Sequence, residues 1–352
     1  MKLRVRPAGA LLLAAGLSAC DVPSGIPRWE TTWITPGEGT TVSVAELLPP
    51  GLDVNDDTTA FVLALAPLNT AWQLSEVCPG CSPGAAPVKP AFVSNLTGTL
   101  ALPAGVQSVD LEGGTIDIEF VNNFEFDPIR PGVASDSGSV TITVRSGATE
   151  LTSVVVRGED AAFGPGDTIA RTLTFAPASV VDDIVVEFTI DSPQGDATTF
   201  SSTDGFEADI ATGGLEVSEG VVSVTGQQIE AVETPLDLSD VDLDQVREGA
   251  IFLDIVNPFG VTGTLNLMIE TGDGGVIEET EALSAADSST IVLDFDQTEL
   301  EQMIGQENTM RIEATVNGGS VTVRPDMVMG IETRLRITVE MDFAGNDDED
   351  EG

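Results

Sequence analysis

In a chain of 352 residues, 58 Asp and Glu stand against 14 Lys and Arg, leaving a formal net charge of −44 with no histidine and no tyrosine. That balance excludes a surface for nucleic acid or anionic lipid, and the missing histidine excludes the usual catalytic triads and most transition-metal centres. So acidic a chain is either disordered or built to tolerate its own repulsion; an apolar content of 41% and a mean hydropathy of +0.15 point to a fold.

Residues 1–20 read as a leader. Lys2, Arg4 and Arg6 precede the short apolar run ALLLAAGL, and Leu17-Ser18-Ala19-Cys20 closes it. The run is too short to span a bilayer as a helix. LSAC resembles the lipobox of bacterial lipoproteins, which implies cleavage before Cys20, diacylation of its sulfur and acylation of the new N-terminus. Several acyl chains anchor far more firmly than one, so the expected partner here is a membrane of the cell envelope. Asp21 resembles the enteric signal for retention at the periplasmic face of the inner membrane; the outer membrane is the alternative. Losing the leader takes the net charge from −44 to −47 and leaves Lys89 as the only lysine. Acid-rich, lysine-poor surfaces suit high salt, where screening shortens repulsion, so a saline habitat is expected.

Residues 21–93 form a distinct N-terminal segment holding all three tryptophans, Trp29, Trp33 and Trp72. Trp29 and Trp33 suit docking onto the fold as apolar staples, or a lipid interface near the anchor. FVLALAPL and AWQLSEV read as strands, either completing a neighbouring sandwich or making a small domain. Cys78 and Cys81 form CPGC in an exported chain. The prolines of SPGAAPVKP stop any helix that a redox pair would need, and a zinc site lacks ligands, so a short structural disulfide is expected.

Beyond residue 93 one phrase is written twice. Gly114–Phe124 reads GTIDIEFVNNF and Gly249–Phe259 reads GAIFLDIVNPF, at an offset of 135. Ala162–Phe175 and Ala282–Phe295 repeat at an offset of 120, and Val186–Ile190 matches Ile312–Val316. The falling offset places an insertion of about fifteen residues in the first copy, around DPIRPGVASDSGS. Two copies follow, residues 94–213 and 214–342, ending in an acidic tail, 343–352.

Runs such as SVTITVRS, DIVVEFTI, STIVLDF and TRLRITVEM alternate or are β-branched, with turn residues about every ten positions. The expected fold is all-β: two tandem immunoglobulin-like antiparallel sandwiches behind a signal peptide and a short N-terminal segment. QTELEQMIG (297–305) is the best helical stretch, with one further turn near VSVAELL. In the repeated phrase Ile251, Leu253 and Ile255 share one strand face, Asp254 points away, Asn257-Pro258 ends the strand, and the leading glycine admits a tight turn.

V-N-P-F and the later Leu283-Ser-Ala-Ala-Asp-Ser-Ser-Thr-Ile-Val-Leu-Asp-Phe295 edge resemble the LEA14 or WHy-type domain over about half of each copy, with Asn123 replacing the proline in the first. The resemblance implies a sandwich and a role in desiccation or osmotic stress, and it carries no catalytic residues. Chemistry is otherwise scarce. A Ser–Lys dyad would have to use Lys89, no nucleophile elbow or phosphate loop is present, and 58 acids single out no carboxylate pair. Asp53–Asp57 starts like an EF-hand but lacks its glycine and terminal glutamate. DLSDVDLDQ sets Asp240, Asp242 and Asp244 on one side, either as a calcium site or as the solvated face of a strand. The expectation is a non-enzymatic envelope lipoprotein without a cofactor, calcium being the one candidate. It would bind an envelope protein or polysaccharide; stress protection and calcium-dependent adhesion are the alternatives.

Overall fold

A computed structural model describes residues 28–86, 88–132 and 136–342. The leader with Cys20, Asp21 and the acidic tail lie outside them. The described chain is all-β and antiparallel, with two short helices, α1 (Leu74–Val77) and α2 (Gln297–Met303). The main strands open with β1 (Arg28–Ser43), β2 (Leu68–Gln73), β3 (Phe92–Leu100), β4 (Val106–Asn122), β5 (Ser139–Ser146) and β6 (Thr149–Arg157). Next come β7 (Thr168–Phe175), β8 (Ile184–Ser192), β9 (Gly205–Thr212), β10 (Leu215–Asp237) and β11 (Val246–Val256). The last are β12 (Thr262–Glu270), β13 (Val276–Leu283), β14 (Ser288–Phe295), β15 (Glu307–Val323) and β16 (Val328–Asp342).

One strand order occurs twice. The rows β3-β8-β5-β6 and β2-β9-β4-β7 recur, strand for strand, as β10-β15-β12-β13 and β1-β16-β11-β14. Register recurs too: Gly114 lies opposite Phe175 as Gly249 lies opposite Phe295. In the first set Phe120 of β4 stacks 4.5 Å from Phe188 of β8, and Trp72 of β2 meets the same ring edge-on at 5.7 Å. Two sheets therefore face each other across an aromatic core. Period-two burial builds both sets, as in Ile184, Val186, Phe188 and Ile190 or Met310, Ile312, Ala314 and Val316.

Residues Val106–Gly113 of β4 pair with Glu216–Val222 of β10, so one ladder crosses from the first set to the second. Within the N-terminal segment, β1 pairs with β16, the final strand, whereas β2 pairs with β9. AWQLSEV thus completes the first set, while FVLALAPL supplies Phe61–Leu63 to the crossing ladder. This pairing exposes a further repeated phrase. TTVSVAELLP (40–49) and TAWQLSEVCP (70–79) each give the end of an edge strand and one helical turn. The carboxylates of Glu46 and Glu76 accept from the backbone N–H of Ser43 and Gln73 at 3.2 and 2.9 Å, closing both turns alike.

The duplicated GAIFLDIVNPF phrase owes its form to asparagine. Asn122 and Asn257 are fully buried at the ends of β4 and β11. Asn122 Nδ2 donates to the carbonyls of Phe126, Phe163 and Gly164 at 2.9, 2.7 and 3.0 Å. Asn257 Nδ2 donates to the matching carbonyls of Val261 and Ser284, both at 2.8 Å. The backbone N–H groups of the two residues donate to Asp167 and Asp287 at 3.0 and 2.9 Å. One amide thus ties the turn after the core strand to the loop entering the next edge strand, once in each set.

The leading glycine corrects its expected role. Gly114 and Gly249 lie inside strands, not in turns. A Cβ on Gly249 would come 2.5 Å from Leu300 Cδ2 of α2, and one on Gly114 would come 2.5 Å from Leu215 Cδ2 and 2.9 Å from Phe175 Cζ. Close approach requires these glycines, and turn geometry does not.

Candidate functional site

The first set departs from the second at one end. The β4–β5 connection runs over 123–138, against 257–261 between β11 and β12. Phe126 of this connection meets Phe200 of a two-stranded ladder, 84–86 with 198–200, edge-on at 5.8 Å, and the disulfide Cys78–Cys81 has its Cα atoms 5.3 Å apart. Cys78 follows α1 and its N–H donates to Leu74 at 2.8 Å, so the cysteine sits at the helix C-terminus, without the N-terminal dipole that activates thiols.

Lys89 lies at the centre of this end with 1% of its surface exposed. Its Nζ donates to the carbonyls of Pro90 and Pro193 at 2.9 and 2.5 Å and sits 4.7 Å from the Phe92 ring centre. Burial lowers its pKa from 10.5 to about 8. Asp127 accepts from the N–H groups of Ile129, Arg130 and Phe163 at 2.8–2.9 Å. Arg130 donates to the carbonyls of Gly158 and Glu159, and Ser192 Oγ donates to that of Pro128. Lys89 and Ser192 each address backbone oxygens and not each other, so the dyad weighed from sequence is not assembled. These polar groups fix loops.

Asp240, Asp242 and Asp244 correct the strand expectation. Ser239 and Asp240 form a turn, and Asp244 falls in a 3-10 turn, Leu243–Gln245. All three carboxylates are exposed, and Asp242 Oδ1 accepts from Asp244 N–H at 3.1 Å. Asp237 starts the turn by accepting from the N–H and hydroxyl of Ser239 at 3.0 and 2.6 Å, bonds that hold its carboxyl below the ordinary range. Asp237 and Asp242 bond to nearby backbone N–H groups, and the segment forms a loop in place of the expected strand. Among the described residues no group of three carboxylates or thiols is gathered for a metal ion.

The exposed sheet faces differ between the sets. On β2-β9-β4, Asn69, Asp209, Glu119 and Asp117 line an open depression of about 360 Å³, with Asp209 directly opposite Glu119. At the equivalent place on β16-β11, Arg334 and Arg336 flank the Phe252 ring at 5.2 and 5.1 Å. Arg334 Nε donates to Asp254 Oδ2 at 2.6 Å, and that bond leads in holding the Asp254 carboxyl below its usual range. Trp29 and Trp33 of β1 do not serve as staples: they are 63% and 52% exposed.

No protein-family profile matches the chain, and no curated relative matches it. Solved structures share only a distant likeness. A protein of Parabacteroides distasonis described as secreted is 10% identical with a TM-score of 0.34, over 87% of this chain and 99% of that one. The empty top component of cowpea mosaic virus is 10% identical with a TM-score of 0.22, over 81% and 90% of the two chains. PNGase F, a glycosylasparaginase from Flavobacterium meningosepticum, is 11% identical with a TM-score of 0.19, over 78% and 99%. No described helix is long and apolar enough to cross a membrane.

Proposed function

We propose that this chain is a non-enzymatic, lipid-anchored protein of the cell envelope that binds or scaffolds an envelope protein or polysaccharide through the exposed faces of its strands. The observation that carries the reading is where the buried polar groups point. Asn122, Asn257, Lys89 and Ser192 donate to backbone carbonyls, which makes them stitches in the fold and leaves the outer sheet faces as the surface that varies. The basic leader, the short apolar run and LSAC ending at Cys20 support export with acylation. Cross-linking in intact cells followed by isolation of the membrane fraction tests the scaffold: a stoichiometric envelope partner is expected, lost when Arg334 and Arg336 are both replaced by Glu. Mass spectrometry of the mature N-terminus tests the anchor, and a free Cys20 thiol would refute it.

A further inference from the structure

The most exposed large side chains of the first strand form one group. Trp29, Trp33 and Ile34 are 63%, 52% and 58% exposed, and all belong to β1, which ends its sheet. Trp29 and Trp33 stand on one face of the strand, opposite Met341 and Ile337, and Ile34 stands on the other. This edge strand forms a rim that carries exposed indoles on one face and isoleucine on the other, interspersed with exposed Glu30, Thr32 and Thr35, and among the described residues no strand pairs with its outer backbone groups, which leaves them to water or headgroups.

What covers this rim follows from the chain that leads to it. Trp29 is nine residues after Cys20, and nine extended residues reach at most about 30 Å. The rim therefore stays within reach of whatever bilayer holds the anchor. Tryptophan favours the headgroup level, where its ring is apolar and its N–H stays wet, and the unpaired edge of β1 could not go deeper without stranding its amides. We infer that the rim of β1, Trp29, Trp33 and Ile34, is a second membrane contact that rests in the headgroup boundary and lays the strand against the bilayer. The inference depends on the anchored reading above and adds to it a fixed orientation. Glu30 is exposed on the same strand and β16 leads into the acidic tail, so the lipid addressed is zwitterionic.

The composition supplies the probe. With no tyrosine in the chain, a Trp72→Phe variant fluoresces from Trp29 and Trp33 alone, and phenylalanine keeps a ring against Phe120 and Phe188. The full-length acylated variant is reconstituted in phosphatidylcholine vesicles whose acyl chains carry bromine near the headgroup or near the chain end. Quenching stronger with the shallow bromines supports the contact. If Trp72→Phe does not fold, the difference between the unaltered protein and a Trp29→Ser, Trp33→Ser double variant gives the same quantity, the double variant retaining only unquenched Trp72. Absence of quenching in a chain whose mass shows an acylated Cys20 overturns the contact and leaves the anchor standing. An unacylated mature chain overturns the anchor and this inference with it.

Discussion

Replacing Asn122 by alanine tests the account of the duplicated phrase most directly. The side chain donates to three carbonyls, those of Phe126, Phe163 and Gly164, and its Oδ1 accepts from the N–H of Phe124 at 2.9 Å. An intramolecular hydrogen bond contributes about 1 kcal/mol net, and a buried group left unpaired costs about 1–3 kcal/mol. Asn122 has two amide hydrogens, so its three donated contacts include one shared hydrogen, and the whole set amounts to about 3–5 kcal/mol. Asn257 donates to two carbonyls and its Oδ1 has no hydrogen-bond partner among the described residues, so Asn257→Ala should cost less, about 2–3 kcal/mol. Urea unfolding of both variants, followed by far-ultraviolet circular dichroism, measures the two losses as shifts in midpoint at constant slope. A loss below about 1 kcal/mol for Asn122→Ala would show that water replaces the amide and that the clamp is incidental. Asn257→Ala proving the costlier variant would refute the counting of contacts.

Lys89 gives a pH signature. Its folded pKa is depressed to about 8 from 10.5, so between those values the unfolded chain binds the extra proton. Stability therefore rises with pH from about 8 to about 10.5 and is lost as pH falls through 8, by at most about 3 kcal/mol. Lys89→Met should lack that slope, and parallel curves for the two proteins would contradict the burial argument. Gly114→Ala meets two side chains and Gly249→Ala one flexible leucine, so the first should lower thermal stability more, by about 1–3 kcal/mol; equal small losses in a thermal melt would mean that both sites relax freely. Asp209 facing Glu119, within a chain of net charge −44, predicts a melting temperature that rises as the screening length falls from about 10 Å at 0.1 M salt to about 3 Å at 1 M. A flat response would remove the saline reading.

Strand content and the helix over 297–303 were legible because period-two alternation and the helical stretch QTELEQMIG are local signals; the cap that starts that helix, Asp296, shows only in the structure. The pairing of β1 with β16 was not, since no local pattern says which distant edge a strand completes. The signal that could have shown it is TTVSVAELLP beside TAWQLSEVCP, a match too short to stand out without the shared turn. For the aspartates 240, 242 and 244, alternation suggested a strand, and the competing tendency of Asp237 and Asp242 to bond nearby backbone N–H groups prevailed. Of the two clamping asparagines, Asn122 and Asn257, only Asn257 was visible as a turn former. Their reach to a loop 41 residues away for Asn122 and 27 for Asn257 became apparent only once β7 and β14 were placed beside their partners.

The two sets show where selection on the fold ends and freedom begins. Inward positions pair alike, so that Phe120 lies opposite Ala208 as Ile255 lies opposite Ile331. Outward ones are less constrained: the acidic pair Glu119–Asp209 recurs as Asp254–Glu332, but where Asp117 faces Ala211 in the first set, Phe252 faces Arg334 in the second. An inward change must refill a packed volume, whereas an outward change alters only what the sheet presents to water. The contrast between a carboxylate-lined face and an arginine–phenylalanine stack thus lies on the side of the strands that folding leaves unconstrained. Because the crossing ladder of β4 and β10 joins the sets through backbone bonds, the two chemically different faces are held on one body. A ligand that met both would have to carry cationic groups for one and acidic or aromatic groups for the other.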